Sequence, residues 1–593
     1  LGKAWRVGLT VGVVGAFLLC ALALFGRPWS RTYDLVVYGA TPQGVTMAAA
    51  AARAGLDVAL IEESGSLGGV LTRGGLATLD NTLDDRNRPL SGGLFLPFFR
   101  ALGYDPSFDV ARAEAALTRM LRFSGARLRL NTRLRDVRHE NGQVTALVLQ
   151  SGARPFTVRA RYFADATDTA QLAARAGARF TVGRADGGLD DAQMAATLVF
   201  RLRGVNWEAL RGQLLTEAER PGGGAEAHGR TARGFWNVAQ GYRPSDPARF
   251  FLRGLNLARQ DDGSLLVNGL MLFGVDGTDP AAVRAAHADG AWEAARATAF
   301  LRAQLPTVFG QAVLAGVAPE VYLRESRHLV GLVRLRADDV LYGRRFSDGL
   351  ALGGYPLDGQ LYRPGEAFYS LGRPKPYEVP LRALIPAGFT NLLVVSQAAS
   401  FDSAAAFSAR VAPLQMALGQ SAGLSVALAR ARRATLPDLA HSESARRRLR
   451  QLLVRRGVRL GTEQAVNPDA AHPAFGAARA LLRRGLFGAP GDAPGELRLN
   501  DPISARAFLG SLQHLLAAGS GTARTATFAG LRARYGPHPL DTLTRGQARA
   551  LLDEVGLQGA LPRADREDDS APLRRGEAAE LLWSLTRARL TQR

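Results

Sequence analysis

Residues 33–69 read YDLVVYGATPQGVTMAAAAARAGLDVALIEESGSLGG, a stretch whose order of residue types decides the fold. Leu35 to Tyr38 form a short apolar, β-branched run of the kind buried on both faces of a parallel sheet. Gly39 takes the tight turn into a helix whose free N–H groups point at a phosphate. Gly44 and the run Ala48 to Ala52 let that helix approach the sheet closely, and Gly55 ends it. Val58 to Ile61 make a second strand, and Glu62 follows Gly39 by 23 positions, near the ~20 expected of an acid that bonds a ribose hydroxyl. An acid there favours a free 2′-hydroxyl and repels a 2′-phosphate. The middle glycine of G-x-G-x-x-G is Thr41, so a pyrophosphate is expected to meet a side chain there. A ligand-free βαβ unit would share the strands and helix, but the glycines and the terminal acid together point to a dinucleotide.

Further motifs lie outward from this unit. Ser64 to Thr72, SGSLGGVLT, resembles the glycine pair that lies against the FAD pyrophosphate and ribityl chain in two-dinucleotide-domain flavoproteins. Tyr162 to Gly177, YFADATDTAQLAARAG, resembles the later strand and helix of the same domain. Asn391 to Gly423 is similar to the closing strand and helix that cover the isoalloxazine end. With Val321–Gly331, Leu350–Asp358 and Tyr377–Pro386, these segments resemble the FAD-dependent oxidoreductase family that includes bacterial xanthan-lyase-like flavoproteins, over about 33–428. The resemblance implies FAD as cofactor and an α/β, two-dinucleotide-binding-domain flavoprotein fold (Rossmann-like, FAD/NAD(P)-binding) with an inserted substrate domain. It also implies cofactor contacts from Gly39, Ala40, Thr41, Pro42, Gln43 and Gly44 in the turn. Others come from Glu62, Glu63, Gly68, Gly69, Leu71, Thr72 and Leu134, from Ala166 and Thr167, and from Gln397, Gln415 and Gly419.

The chain departs from the family where chemistry is expected. Relatives carry glycine at the position of Ser396 and histidines where this chain has Ser403 and Ala406. Arg410 remains; it either supplies a fixed cation beside the flavin or is a buried arginine bonded to helix carbonyls. Other catalytic candidates are Arg324, Arg327 and His328 in YLRESRHL. Extended backbone puts Glu325 and Arg327 on one face, and Arg324, Ser326 and His328 on the other. His328 is either a proton carrier or a hydrogen-bonded structural group. Tyr355 and Tyr377 are further proton donors to consider.

Composition narrows the classes. The 593 residues exceed one hydrophobic core, so three or more units are expected. The formal charge of +21 comes almost wholly from arginine, since Lys3 and Lys375 are the only lysines. The arginines are spread through every segment without an Arg–aromatic run, which argues against specific nucleic-acid binding. Weak, salt-sensitive attraction to anionic polymers or lipids is expected. The single cysteine, Cys20, excludes a cysteine-ligated cluster, a redox dithiol and an internal disulfide from this sequence. Ligand spacings for a protein-bound metal are missing from the eight histidines.

Val7 to Phe25 is an uncharged apolar run preceded by Lys3 and Arg6, long enough to cross a bilayer, with Ala21-Leu22-Ala23 as an A-x-A cleavage site. Residues 1–31 therefore read as a membrane anchor or a signal segment, and a cell-envelope location is expected, anchored or exported. Residues 32–180 are the first FAD-binding part and 376–432 the second. Residues 181–375 are an inserted substrate domain, in which Thr197 to Leu202 alternate as an antiparallel strand and the glycine-rich Glu219–Gly234 reads as a mobile loop or lid carrying His228. Residues 433–593 are helical. There, segments from Asn500, Asp541 and Ala571 repeat a turn and an amphipathic helix, preceded by a helix within His472–Gly488; they resemble degenerate S-layer-homology repeats, which bind cell-wall polymers, or they form a helical cap. The expected function is hydride transfer between a small organic substrate and flavin N5. The alternatives are a wall-binding envelope protein with a vestigial flavin domain, and a polysaccharide-modifying enzyme with non-redox FAD.

Overall fold

The computed structural model describes residues 32–219, 224–518, 541–557 and 569–591, with 528, 530–531 and 534–535. The apolar run Val7–Phe25, Cys20 and residues 220–223 lie outside the described residues. No helix among the described residues is long and apolar enough to cross a membrane.

The chain opens with β1 (Thr32–Tyr38), α1 (Pro42–Arg53) and β2 (Val58–Ile61). After α2 (Val110–Arg122) and β3 (Arg127–Arg129) comes an antiparallel meander of β4 (Arg133–Glu140), β5 (Gln143–Ser151) and β6 (Arg154–Asp165). Much later β7 (Leu392–Val394) returns to the same sheet, followed by α3 (Ala412–Arg432). The order is β3-β2-β1-β6-β5-β4, with β7 also on β6. The first half of β6 pairs antiparallel with β5, and its second half runs parallel with β1 and β7. Tyr38 pairs with both Ile61 and Asp165, and Val394 with Asp165. Ile61 also pairs with Arg129, so five parallel strands end at one level, where an open α/β sheet keeps its ligand crevice.

Small residues bring α1 and α3 together. Thr46 Oγ1 donates to the Met416 carbonyl at 2.8 Å. A Cβ on Gly419 would sit 2.2 Å from the Gln43 carbonyl oxygen and 2.4 Å from Thr46 Oγ1. Gly419 thus serves the helix crossing. Replacing it with alanine is expected to push the helices apart at a cost of about 1–3 kcal/mol, read as a lower thermal midpoint; an unchanged midpoint would mean the two helices are not in contact.

The second sheet is antiparallel. Its order is Glu226–His228, Thr231–Gly234, Phe250–Arg259, Leu265–Leu272, Phe200–Arg203 and Val313–Val317, with Ala196–Thr197 also on Leu265–Leu272. One face packs an apolar core with the long helix Pro280–Gln304; the other carries polar residues toward the first sheet. The expected strand at Thr197–Leu202 is found as the two strands Ala196–Thr197 and Phe200–Arg203. The glycine-rich segment is not a free loop within its described part. Residues 226–234 form an edge hairpin whose Gly229 takes the left-handed turn, at φ 52°.

Helix Ser403–Ala409 meets α3 at 92°, and this corner carries Arg410 and Val411 to the crevice. In the C-terminal region, the Ile503 N–H donates to the Leu573 carbonyl, Leu543 to Ile503 and Leu573 to Leu543, at 2.9, 3.0 and 2.8 Å. This closed ring relates three turn–helix units whose helices are Ala505–Ala517, Arg545–Glu554 and Arg575–Leu590. The helix Phe475–Leu482 joins the last of these and stands outside the ring.

Candidate functional site

The glycine turn is built tightly between strand ends. Gly39 has φ 102°, and a Cβ on it would lie 2.9 Å from both the Ala166 carbonyl carbon and the Thr167 nitrogen. Gly44 is as constrained, with its Cβ position 2.0 Å from the Gly39 carbonyl oxygen. Thr41 resolves the departure from the glycine pattern. Its hydroxyl turns inward as the N-cap of α1, donating to the Ala166 carbonyl at 2.8 Å and accepting from the Gly44 N–H at 3.3 Å. The Thr41 hydroxyl is therefore engaged by the protein's own backbone.

Around the turn, the Gly68 N–H donates to the Ala40 carbonyl at 2.8 Å. Gly68 and Gly69 have φ of 99° and 45°, so the second loop lies flat against the first. The Glu62 carboxylate closes the cradle, accepting from the Ala40 and Ser64 N–H groups at 2.7 and 2.8 Å. Glu63 faces outward and pairs with Arg133 at 3.0 Å. Leu71 is buried in the core, and Thr72 Oγ1 donates to the Leu67 carbonyl at 2.6 Å, so both shape the loop from behind. The Leu134 N–H donates to the Tyr38 hydroxyl at 3.0 Å. Thr167 donates through its N–H and hydroxyl to Asp165, which is fully buried and fixes the end of β6.

A slot opens from this cradle, lined among others by Pro42, Gln43, Asp168, Gln397, Arg410 and Gln415. It continues into a chamber of about 250 Å³ under the second sheet. Slot and chamber share Leu76, Thr78, Asp80, Tyr322, Arg324 and Arg410. Arg410 donates to the Tyr322 hydroxyl at 2.8 Å and to the Asp358 carbonyl at 3.1 Å, while its Nε has no partner. Burial alone would lower its pKa, but Tyr322, Tyr355, Asp358 and Asp80 around it raise it. Burial pushes Arg324 down to about 9, with Arg253 and Arg410 adding to the effect. Asp80 is raised by burial and by Asp358, against Arg410.

Of the sequence candidates for catalysis, Arg410 and Arg324 line the cavity. Arg327 and His328 do not. Arg327 reaches the Thr278 carbonyl at 3.4 Å and lies over the Phe180 ring. His328, 1% exposed, bonds Glu325 through Nε2 at 2.8 Å. The expectation that Glu325 and His328 face opposite ways is corrected: the strand covers only Arg327–Leu329, and the chain before it turns Glu325 back. Tyr355 lines the chamber and donates to Asp358 at 3.2 Å; Tyr377 is buried against Ser408. His228 is exposed on the edge hairpin.

Asp168 was not singled out from the sequence. It stands on the floor of the slot, where burial, then Glu320, pushes its pKa up to about 7, against bonds to Gln397 and Gln43. An acid raised in this way binds more protons folded than unfolded between about pH 4 and that value, so stability falls as pH rises through the window. The Asp168→Asn variant of the cofactor-free protein is expected to lose this fall in thermal midpoint. A slope equal to that of the parent would show that Asp168 is ionised in the fold.

The residues fit FAD. A glycine turn that Gly39 and Gly68 hold tight against the protein behind it, a helix N-terminus free of acidic residues, and the unpartnered Gln415 Oε1 and Arg410 Nε at the slot all suit it. Similar solved structures include a geranylgeranyl bacteriochlorophyll reductase-like protein from Thermoplasma acidophilum, 12% identical at TM-score 0.37 over 88% of this chain and 99% of that one. A flavin-dependent brominase is 12% identical at TM-score 0.37, over 77% and 94%. The p-nitrophenol 4-monooxygenase of Pseudomonas putida is 11% identical at TM-score 0.32, over 95% and 97%. No curated protein matches the chain. The sequence pattern of the FAD dependent oxidoreductase family matches residues 34–453, and the chain belongs to that family as an FAD-dependent oxidoreductase.

Proposed function

We propose that the enzyme transfers a hydride between a small organic substrate in the chamber and N5 of FAD. The turn Gly39–Gly44, Glu62, Gly68–Gly69 and Ala166–Thr167 would hold the cofactor's dinucleotide part; Gln43, Gln397 and Gln415 would hold its slot end. FAD, when bound, supplies the two-electron acceptor or donor. The protein's own groups bind, orient and move the proton. Arg410 fixes a positive charge where slot and chamber meet. Asp358, accepting from Tyr355, and Asp80, whose carboxyl is held toward its protonated form, are the groups available to exchange a proton with substrate. The observation that carries this reading is the continuity of slot and chamber through Asp80, Tyr322, Arg324 and Arg410.

The test is a visible spectrum of the purified chain, with released cofactor identified, followed by anaerobic mixing with candidate substrates. About one FAD per chain that a substrate bleaches supports the reading. A folded protein that neither carries nor takes up FAD overturns it.

A second reading concerns the C-terminal region. The ring of Ile503, Leu543 and Leu573 favours three equivalent repeats over an irregular cap, and so supports an additional role in holding a cell-wall polymer. The apolar run Val7–Phe25 supports a cell-envelope location by anchor or export. Co-sedimentation of the full chain with purified cell walls tests this; no enrichment over a bare resin counts against it.

A further inference from the structure

The part of the chamber wall that the slot does not share contains polar groups that the protein leaves unsatisfied. Arg233, Asn256 and Asn268 pair in register across three neighbouring strands, Arg233 with Asn256 and Asn256 with Asn268. All three line the chamber. The strands around them are apolar: Leu255 and Leu257 pack into the opposite core, so the asparagines stand out in FFLRGLNLAR and LLVNGLML. Asn256 Oδ1 and Asn268 Oδ1 are buried without a partner, as is Arg253 Nε. Arg253, 9% exposed, donates once, to Gln360 Oε1 at 3.0 Å. Buried polar atoms are nearly always bonded, and each one left bare costs about 1–3 kcal/mol. The three side chains that carry them line one chamber, which points to an occupant that satisfies them.

The charges indicate what that occupant carries. Four arginines, 233, 253, 324 and 410, line the chamber against two carboxylates, Asp80 and Asp358. No carboxylate lies within ion-pair distance of Arg253, Arg324 or Arg410 among the described residues. Asp80 is itself held toward its neutral form. Three buried guanidinium groups with no carboxylate in direct contact, and only Asp80 and Asp358 nearby, leave an excess of positive charge that calls for an anion, and two bare amide oxygens call for hydroxyl donors. A volume of about 250 Å³ lies below the range of about 300–1,000 Å³ for drug-sized ligands, which sets a small molecule.

We propose that the substrate is a small hydroxylated organic acid, its carboxylate held by Arg253 and its hydroxyls by Asn256 and Asn268. This rests on the reading of slot and chamber as one redox site. It names the recognition that the reading leaves open.

The experiment is calorimetric titration of the FAD-loaded full chain with D-gluconate, L-tartrate and L-malate, beside the neutral polyols D-glucitol and threitol. At least one acid is expected to bind about tenfold or more tightly than the polyols, and Arg253→Met to weaken that binding by about tenfold or more. Arg249→Met, which removes an exposed arginine paired with Asp289, is expected to leave it unchanged. If Arg253→Met does not fold, Asn256→Leu reads the same contact. Polyols binding as well as the acids, no binding by any acid, or full binding by both chamber variants overturns the proposal. Loss of the flavin band in the parent chain would instead strike the cofactor reading, because calorimetry reports the chamber without turnover.

Discussion

Gly39→Val is expected to yield a folded protein that purifies with less than about a tenth of the parent's FAD. Two costs combine. A non-glycine residue at φ 102° pays about 1–2 kcal/mol for the left-handed region. Its Cβ also falls 2.9 Å from two backbone atoms of Ala166 and Thr167, which cannot rotate away, and overpacking of that kind costs about 1–3 kcal/mol. Relief requires the turn to separate from the end of β6, which opens the cradle. A sum of about 2–5 kcal/mol in the binding-competent form converts to a loss of affinity between roughly thirtyfold and several thousandfold. Gly55→Ala is the control. Gly55 has φ 93° with no atom near its Cβ position, so that variant pays for the backbone alone and keeps its flavin. The readouts are the ratio of flavin to protein absorbance and the dissociation constant on reconstitution. Full FAD content in Gly39→Val would remove the cradle from the cofactor site.

The contrast between these glycines shows which parts of the site were legible in the sequence. The cradle is local: strand, turn, helix and acid follow one another, and each residue type answers a backbone demand inside one βαβ unit. Even the departure at Thr41 has a local solution, since a threonine before a helix caps it. The chamber is assembled differently. Arg253, Asn256 and Asn268 meet Asp80, Tyr322 and Arg410 only because the second sheet folds over the first. A signal was present in the isolated asparagines and arginine of two otherwise apolar strands. Burial of the strands, which gives that signal its meaning, depends on tertiary structure. The alternation expected across Leu323–His328 failed for a related reason. Strand pairing begins only at Arg327, and side chains before that point follow a bend and not a pleat. The C-terminal repeats were legible because each carries its own helix start, with Ser504 and Thr544 as N-caps and Arg574 in the third. Their closure into a ring was not, since the ring is made by backbone hydrogen bonds between segments about 30, 40 and 70 residues apart.

Glu325→Ala is expected to destabilise the protein by about 3–5 kcal/mol, more than any substitution at the cavity wall. The Glu325 side chain is 0% exposed and serves three donors: the Met194 N–H at 2.9 Å, His328 Nε2 at 2.8 Å and the Ser403 hydroxyl. Ser403 in turn bonds the Tyr362 hydroxyl at 2.8 Å, and its N–H donates to Asp186 at 2.9 Å. The carboxylate thus joins the segment that enters the second sheet at Ala196, the strand of His328 and the helix that leads to Arg410. Alanine leaves three buried donors bare in a site that water does not reach, and His328 Nδ1 already has no partner. Glu325→Gln keeps the volume and one acceptor oxygen, so it is expected to lose about 1–2 kcal/mol. Thermal release of bound flavin, followed by fluorescence, measures both. Release of flavin from Glu325→Ala at the parent's midpoint would show that the network is not what holds the helix corner in place. The ordering Ala below Gln below parent would identify His328 as a structural partner of this network, held by Glu325 away from the cavity that Arg410 lines.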